Sequence, residues 1–172
     1  MDVRTHCCLI VLVLYALGLL SKGCAITSLI LLNIAHAGPL PTRVALSPPL
    51  LKNIGDNLQQ LDLCDCGLEG TLPANIGTVC PNLQLLGLAG NPGVTGPIPS
   101  SIGTLKFLRK LHLDSNSLDG HVPPSLAGLK DLLTLYLFDN QLVPVKNAPL
   151  SSEGKMRYEN YAEVQAFLAV LT

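Results

Sequence analysis

Aromatic and charged side chains are scarce in this chain of 172 residues. Tryptophan is absent, aromatic residues make up 4% and charged residues 13% of the sequence, and the formal net charge is -1. Because phosphate neutralisation needs clustered lysine and arginine, we expect no nucleic-acid partner. Apolar residues nevertheless reach 48%, which excludes an intrinsically disordered chain. Leucine alone occurs 37 times, so the chain is either embedded in a membrane or built from a leucine-spaced repeat.

The N-terminal segment has the pattern of a secretory signal. An apolar run extends from Cys7 to Leu20, and the small residues Gly23 and Ala25 then flank a possible cleavage site. A membrane-spanning helix needs about 20 apolar residues, and this run reaches that length only by passing Lys22. Residues 1–25 are therefore predicted to be a signal peptide, with a retained signal anchor as the alternative.

A leucine spacing recurs along the rest of the chain. The pattern Leu-x-x-Leu-x-Leu begins at Leu58, Leu83, Leu108 and Leu132, and a degenerate copy begins at Ile26. The residue three positions after the last leucine of each regular copy is, in turn, Cys66, Asn91, Asn116 and Asn140. A Gly-x-x-Pro step follows in three of these copies. The agreement of several positions in every copy indicates true internal repeats.

The alternation within each copy explains how such repeats would fold. Leu-x-Leu places two leucines on one face of a short strand. One strand cannot bury that face alone, so successive copies must stack and share a continuous core. The asparagine that follows can satisfy buried backbone groups, because its amide supplies an acceptor and two donors.

The complete pattern, Leu-x-x-Leu-x-Leu-x-x-Asn-x-Leu-x-Gly-x-Ile-Pro, resembles the plant-type leucine-rich repeat. That repeat is known from the ectodomains of plant receptor-like kinases and receptor-like proteins, and from polygalacturonase-inhibiting proteins. The resemblance covers residues 26–145. It implies an α/β leucine-rich-repeat solenoid, a right-handed arc of about four or five repeats with a parallel β-sheet on its concave face. It also implies a ladder of asparagines, with Cys66 as a weaker rung beside Asn91, Asn116 and Asn140.

The repeat pattern stops before the C-terminus. Residues 146–157 are predicted to be a loop. Asn160 and Glu163 then resemble a capping box, and apolar residues follow at helical spacing from Val164 to Leu171. Residues 146–172 are therefore predicted to be a loop and a capping helix that covers the open end of the solenoid. A partner-binding helix is the alternative.

The spacing of potential catalytic and metal-binding residues in the sequence supports neither a catalytic site nor a metal site. His112, Asp114 and Ser115 lie on one exposed strand, where their side chains point along a surface and do not converge as nucleophilic catalysis requires. A third ligand for a metal is missing. We therefore expect no enzyme activity, no metal and no cofactor. The cysteines of the repeat region, Cys64, Cys66 and Cys80, are expected to form no disulfide.

Chemical contrast singles out the last two strands as a binding surface. Residues flanking the strand leucines should point to the concave face, and in these two repeats they include charges, an imidazole and two aromatic rings. The predicted ligand-binding residues are Lys110, His112, Asp114, Tyr136, Phe138 and Asp139. The small residues Gly87 and Ala89 flatten the centre of the face and leave room for a ligand side chain or a glycan.

Together these patterns predict a non-catalytic module that binds a protein or peptide ligand, with a glycan as a further possibility. The chain is expected to be secreted or at the cell surface, and to contact a membrane only through an uncleaved N-terminal segment. Two alternatives remain open: a membrane-anchored receptor-like ectodomain that lacks a kinase, and a secreted inhibitor of a cell-wall-degrading enzyme.

Overall fold

The computed structural model describes residues 28–30, 44–45, 57–151 and 154–171. The predicted signal peptide or anchor at residues 1–25 lies outside these residues. In the described part of the chain, no helix is both long and apolar enough to cross a membrane.

The larger of two sheets lines the concave face and is made of the strands that the leucine spacing predicts. Neighbouring strands of the repeats pair in parallel, with Leu29 opposite Leu61 and each later strand leucine opposite its equivalent. In spatial order its strands are β1 (Ser28–Ile30), β3 (Gln60–Asp62), β5 (Leu85–Gly87), β7 (Lys110–His112), β9 (Thr134–Tyr136) and β11 (Arg157–Tyr158).

A second parallel sheet, which the sequence did not predict, is formed by the residues that follow the asparagine position of each repeat. The glycine of each Gly-x-x-Pro step lies in or near its strands, and Gly70, Gly96 and Gly120 have positive φ. In spatial order the strands are β10 (Gln141–Val143), β8 (Ser117–His121), β6 (Gly93–Pro97), β4 (Leu68–Thr71) and β2 (Val44–Ala45).

Short helical turns return the chain from the second sheet to the first. They comprise α1 (Ile76–Val79) and two 3-10 turns at Ser100–Thr104 and Pro124–Gly128. Each buries one aliphatic residue, Ile76, Ile102 or Leu126. These join the strand leucines in one continuous hydrophobic core, as expected for repeats that stack on their neighbours.

The side chains at the asparagine position link neighbouring repeats through hydrogen bonds. The Oδ1 of Asn91 accepts hydrogen bonds from the backbone N–H groups of Cys66 and Leu68, at 3.0 Å each, while its Nδ2 donates to the carbonyls of Leu63 and Leu88. Asn116 and Asn140 repeat this arrangement one and two repeats further on. The Cys66 thiol donates a hydrogen bond to the backbone carbonyl of Cys64, just after the preceding strand.

The C-terminal end differs in one respect from the prediction of a loop over residues 146–157. Arg157 belongs to β11, which pairs antiparallel with β9, whereas all other strands of the sheet run parallel. Tyr158 is buried, its ring stacks on Phe167 at 4.7 Å between centroids, and its hydroxyl donates to the carbonyl of Pro149 at 2.7 Å. A two-residue strand has too little periodicity to be visible in the sequence.

Helix α2 (Tyr161–Ala169) follows the strand and covers the end of the core. The Asn160 side chain accepts a hydrogen bond from the backbone N–H of Glu163, and the Glu163 carboxylate accepts one from the N–H of Glu159. The buried residues Val164, Phe167 and Leu168 form its inner face. The solenoid therefore ends in a capping helix, as expected from the spacing.

Candidate functional site

Strand register sets the order of the side chains across the concave face. One row across the sheet consists of Asp62, Gly87, His112, Tyr136 and Arg157, each paired with the next. Adjacent strands lie about 4.8 Å apart, so neighbouring side chains in such a row come into direct contact. Gly87, the second residue of the row, separates the acidic Asp62 from the aromatic His112 and Tyr136.

His112 and Tyr136 form a stacked pair within this row. Their ring centroids lie 4.5 Å apart and the ring planes are 11° from parallel. The Nε2 of His112 shares a hydrogen bond with the Thr134 hydroxyl at 3.0 Å. Burial lowers the pKa of His112, although the carboxylates of Asp114 and Asp62 oppose that shift. The imidazole is therefore held in its neutral form down to lower pH than a free histidine.

Phe138 extends the aromatic surface toward the C-terminal edge. Its ring lies 6.1 Å from that of Tyr136, and the Lys155 ammonium lies 5.1 Å from its centroid. Arg157 spans both rings, at 5.5 Å from Tyr136 and 5.9 Å from Phe138. Beneath the terminal helix, Phe167 stacks on Tyr158 and not on Phe138.

Asp114 lies beside the stacked rings in an unfavourable position. Its Oδ1 is buried and has no hydrogen-bond partner among the described residues. Burial raises the pKa of this carboxyl above its ordinary value, and Asp139 raises it further. A backbone hydrogen bond, His112 and Arg157 lower the pKa and oppose part of that shift. A buried carboxylate oxygen without a hydrogen-bond partner costs free energy.

Asp139 lies at the outer edge of the face. It forms an exposed ion pair with Lys155, with the Lys155 nitrogen 3.4 Å from each carboxylate oxygen. Its backbone has a φ of 51°, as Asp65 and Ser115 have at the same place in their repeats. Asp139 and Phe138 also border a cavity of about 480 Å³ that is otherwise lined mainly by Val145, Leu150 and Met156.

The structure brings the predicted binding residues into one region. His112, Tyr136 and Phe138 form a continuous ring surface, Asp114 and Asp139 flank it, and the exposed Lys110 precedes His112 on β7. Sequence reasoning missed the two cations above the rings. Lys155 and Arg157 come from the C-terminal segment, outside the repeats, and no repeat spacing points to them.

Family and structural comparisons agree with this architecture. The Leucine Rich Repeat family profile matches residues 57–79 and 107–129. Receptor-like protein 39 of Arabidopsis thaliana is 53% identical over 85 residues, 47% of this chain and 10% of that protein. The leucine-rich repeat receptor protein kinase MSP1 of Oryza sativa subsp. japonica is 44% identical over 73 residues, 42% of this chain and 6% of that protein. The chain thus spans a tenth or less of these relatives.

Solved structures of plant receptors share the fold. A chain of the BIR3–SERK2 complex from Arabidopsis thaliana is 31% identical with a TM-score of 0.60, over 75% of this chain and 65% of that one. The ectodomain of the Arabidopsis receptor kinase HAESA, in complex with an N-terminally extended IDA peptide hormone ligand, is 34% identical with a TM-score of 0.56, over 59% of this chain and 17% of that one. The chain therefore contains leucine-rich repeats of the plant type and is similar to plant receptor ectodomains.

Proposed function

We propose that this chain is a non-catalytic recognition module that binds a protein or peptide through its concave face, in the extracellular space or at the cell surface. The observation that carries the proposal is the continuous, half-buried ring surface of His112, Tyr136 and Phe138, which lies on the concave face outside the hydrophobic core. Aromatic rings that remain partly accessible beside charges are typical anchors of protein interfaces.

The named relatives support the same class of partner. Two of the similar structures are ectodomains bound to a peptide hormone or to another receptor protein. The chain covers only a small part of the curated relatives, so the partners of those proteins are not assigned to this chain. For this chain we infer only the class of partner, a protein or peptide.

Peptide selection followed by substitution tests the proposal. A phage-displayed random peptide library is selected on the immobilised protein, and the affinities of the resulting peptides are measured by calorimetry. Tyr136→Ala and Phe138→Ala should weaken binding by about tenfold or more, because buried rings are common binding anchors. Tyr161→Ala is the matched control, since Tyr161 is an exposed ring on α2. Equal affinities for the wild type and both concave-face variants would contradict the proposal.

The N-terminal boundary is a separate part of the proposal. We assign residues 1–25 to a cleaved signal peptide, residues 26–145 to the repeat domain and residues 146–172 to the C-terminal cap. Expression of the full chain in a secreting eukaryotic host, followed by mass spectrometry of the mature protein, distinguishes a start near Ile26 from an intact N-terminus. An intact N-terminus in the membrane fraction would favour the anchored alternative.

A further inference from the structure

The cavity of about 480 Å³ beside the last repeat adjoins the ring surface. Its apolar walls come from Phe138, Val145, Ala148, Leu150 and Met156, and we call it the terminal cavity. Ligand pockets in proteins usually measure about 300–1,000 Å³, so this volume is in the range of a binding site. Because Phe138 belongs both to a cavity wall and to the ring surface, the terminal cavity is continuous with the concave face.

The walls of the terminal cavity present apolar surface that the described part of the chain leaves uncovered. Leu150 is 56% exposed although it lines the cavity. Val145, Ala148 and Met156 pack against the hydrophobic core but are only partly buried. At about 30 Å³ per water molecule, the cavity volume corresponds to on the order of 15 waters. Replacing water beside such walls with an apolar group is favourable.

Hydrogen bonds within the C-terminal segment shape one wall of the terminal cavity. The hydroxyl of the buried Tyr158 donates to the carbonyl of Pro149 at 2.7 Å, which holds the chain just before Leu150. The N–H of Ser151 then donates to the carbonyl of Lys155 at 3.0 Å, and the Ser151 hydroxyl accepts from the N–H of Lys155 at 3.2 Å. A wall held in this way is preorganised, so little conformational entropy is lost when a ligand binds.

The polar residues that line the terminal cavity lie toward solvent. Asp139 and Lys155 form an ion pair there, and their side chains are 54% and 40% exposed. Asn147 is also exposed at this edge. A charged ligand would have to compete with the ion pair, whereas an apolar side chain leaves it intact. Apolar walls inside a polar rim are the usual arrangement of a protein interface.

We propose that the terminal cavity binds a bulky aliphatic or aromatic side chain, such as leucine or phenylalanine, of the polypeptide partner. This inference rests on the proposed function and names the chemistry of one contact. A polypeptide that crosses the rings of Tyr136 and Phe138 passes directly to the cavity, because Phe138 borders both. An apolar anchor in a preformed pocket with a polar surround is the kind of contact that dominates binding energy in interfaces.

Nuclear magnetic resonance with small probes tests the inference on the full chain. The probes are the N-acetyl methylamides of leucine and phenylalanine, with that of asparagine, which has nearly the shape of leucine, as the polar analogue. We expect saturable shifts of the amides of Ala148, Leu150 and Met156 with both apolar probes and not with asparagine.

Two variants and one matched control locate the binding. Ala148→Leu narrows the cavity and keeps its apolar character, so it should weaken binding of the leucine probe at least about fivefold. Leu150→Ser removes exposed apolar wall without opening the core, and should weaken binding at least about threefold while the spectrum stays folded. Phe107→Ser is the matched control, since Phe107 is also 56% exposed and lies before β7, away from the cavity.

Three results of the probe titrations would overturn the inference. They are equal shifts of the same amides by the asparagine probe, the lack of any saturable shift, and a loss of affinity in Phe107→Ser as large as in Leu150→Ser. Dimerisation of the wild type that Leu150→Ser abolishes, measured by light scattering, would also overturn it, because a second copy of the chain would then be the occupant.

The selected peptides separate this inference from the proposed function. Tyr136 belongs to the ring surface and is not among the described residues that line the cavity. If the peptides lose affinity with Tyr136→Ala but keep it with Leu150→Ser and after replacement of their own apolar residues by asparagine, the cavity inference is wrong and the recognition function stands. If no selected peptide depends on Tyr136 or Phe138, while the leucine probe still binds in the cavity, the recognition function fails and the apolar side-chain site stands.

Discussion

The side-chain amide of Asn116 takes the place of water for four buried backbone groups. Its oxygen accepts from the N–H of Asn91, and its nitrogen donates to the carbonyls of Leu88, Leu113 and Asp114. Asn116→Ala should lower the free energy of unfolding by about 2–4 kcal/mol, because several buried groups lose their partners together. Denaturant unfolding measures this, with the exposed Asn75→Ala as control. A loss equal to that of the control would contradict the ladder as a source of stability.

Asp114 should destabilise the protein at neutral pH. Its pKa is raised in the folded state, chiefly by burial, so the folded state favours the protonated carboxyl more than the unfolded state does. The corresponding stability is present below the ordinary pKa of 3.8 and is lost as pH rises through the folded pKa.

Asp114→Asn therefore has a pH-dependent effect on stability. The variant should melt at a higher temperature than the wild type near about pH 7, and this advantage should shrink toward about pH 3, where the wild-type carboxyl is itself protonated. Calorimetric melting curves across this range provide the measurement. Destabilisation by Asp114→Asn at neutral pH would show that the carboxylate has a favourable partner.

At the level of elements, Tyr158 and Phe138 are expected to have opposite roles. Tyr158 stacks on Phe167 inside the cap, and its hydroxyl donates a hydrogen bond to the carbonyl of Pro149. Phe138 is instead half-buried beneath the long cationic side chains of Lys155 and Arg157. Tyr158→Phe should cost about 1 kcal/mol through the lost hydrogen bond. Phe167→Ala should cost about 3–5 kcal/mol, as for other buried rings.

Phe138→Ala is the informative comparison, because its ring contributes to the surface more than to the core. We expect its melting temperature to stay within a few degrees of the wild type while binding of the selected peptides falls. Thermal melts of the Phe138 and Phe167 variants, recorded side by side, check both statements. A fall for Phe138→Ala as large as for Phe167→Ala would place the ring in the structural core.

The leucine spacing was sufficient to predict the concave strands, because each strand leucine has to face the same core and the period is nearly constant. It was insufficient for the second sheet, whose strands carry glycine, proline and polar residues and are held by backbone pairing along the stack. Helix α2 was predictable from its capping residues and apolar spacing. Strand β11 was not, since its partner β9 is brought near only by tertiary packing.

The candidate site was predictable only in part, for the same reason. Repeat register tells which side chains share a face, and it placed His112, Tyr136 and Phe138 together. It does not tell how side chains turn within a row, so the stack of His112 on Tyr136 and the lean of Asp62 over Gly87 required coordinates. The overlying Lys155 and Arg157 lie outside the repeats altogether.

At the scale of the whole molecule, the C-terminal cap protects an open end of the core. Deleting residues 151–172 would remove β11 and α2 and expose both the edge of β9 and the end of the leucine stack. Unpaired strand edges promote association, so the truncated chain should elute as oligomers in size-exclusion chromatography with light scattering. Deleting only residues 170–172 is the control and should leave the elution unchanged. A monomeric, folded truncation would show that the cap is dispensable.

The antiparallel direction of β11 affects how molecules can associate end to end. A solenoid whose end strand ran parallel to the others would offer a next molecule the same hydrogen-bond pattern that joins its own repeats, and a head-to-tail contact of that kind does not close into a ring. Antiparallel β11 breaks that pattern at the concave sheet, and Pro144, which lacks a backbone N–H, directly follows β10 at the edge of the other sheet. Head-to-tail association through the hydrogen-bond pattern of the repeats is thereby disfavoured at this end of the solenoid.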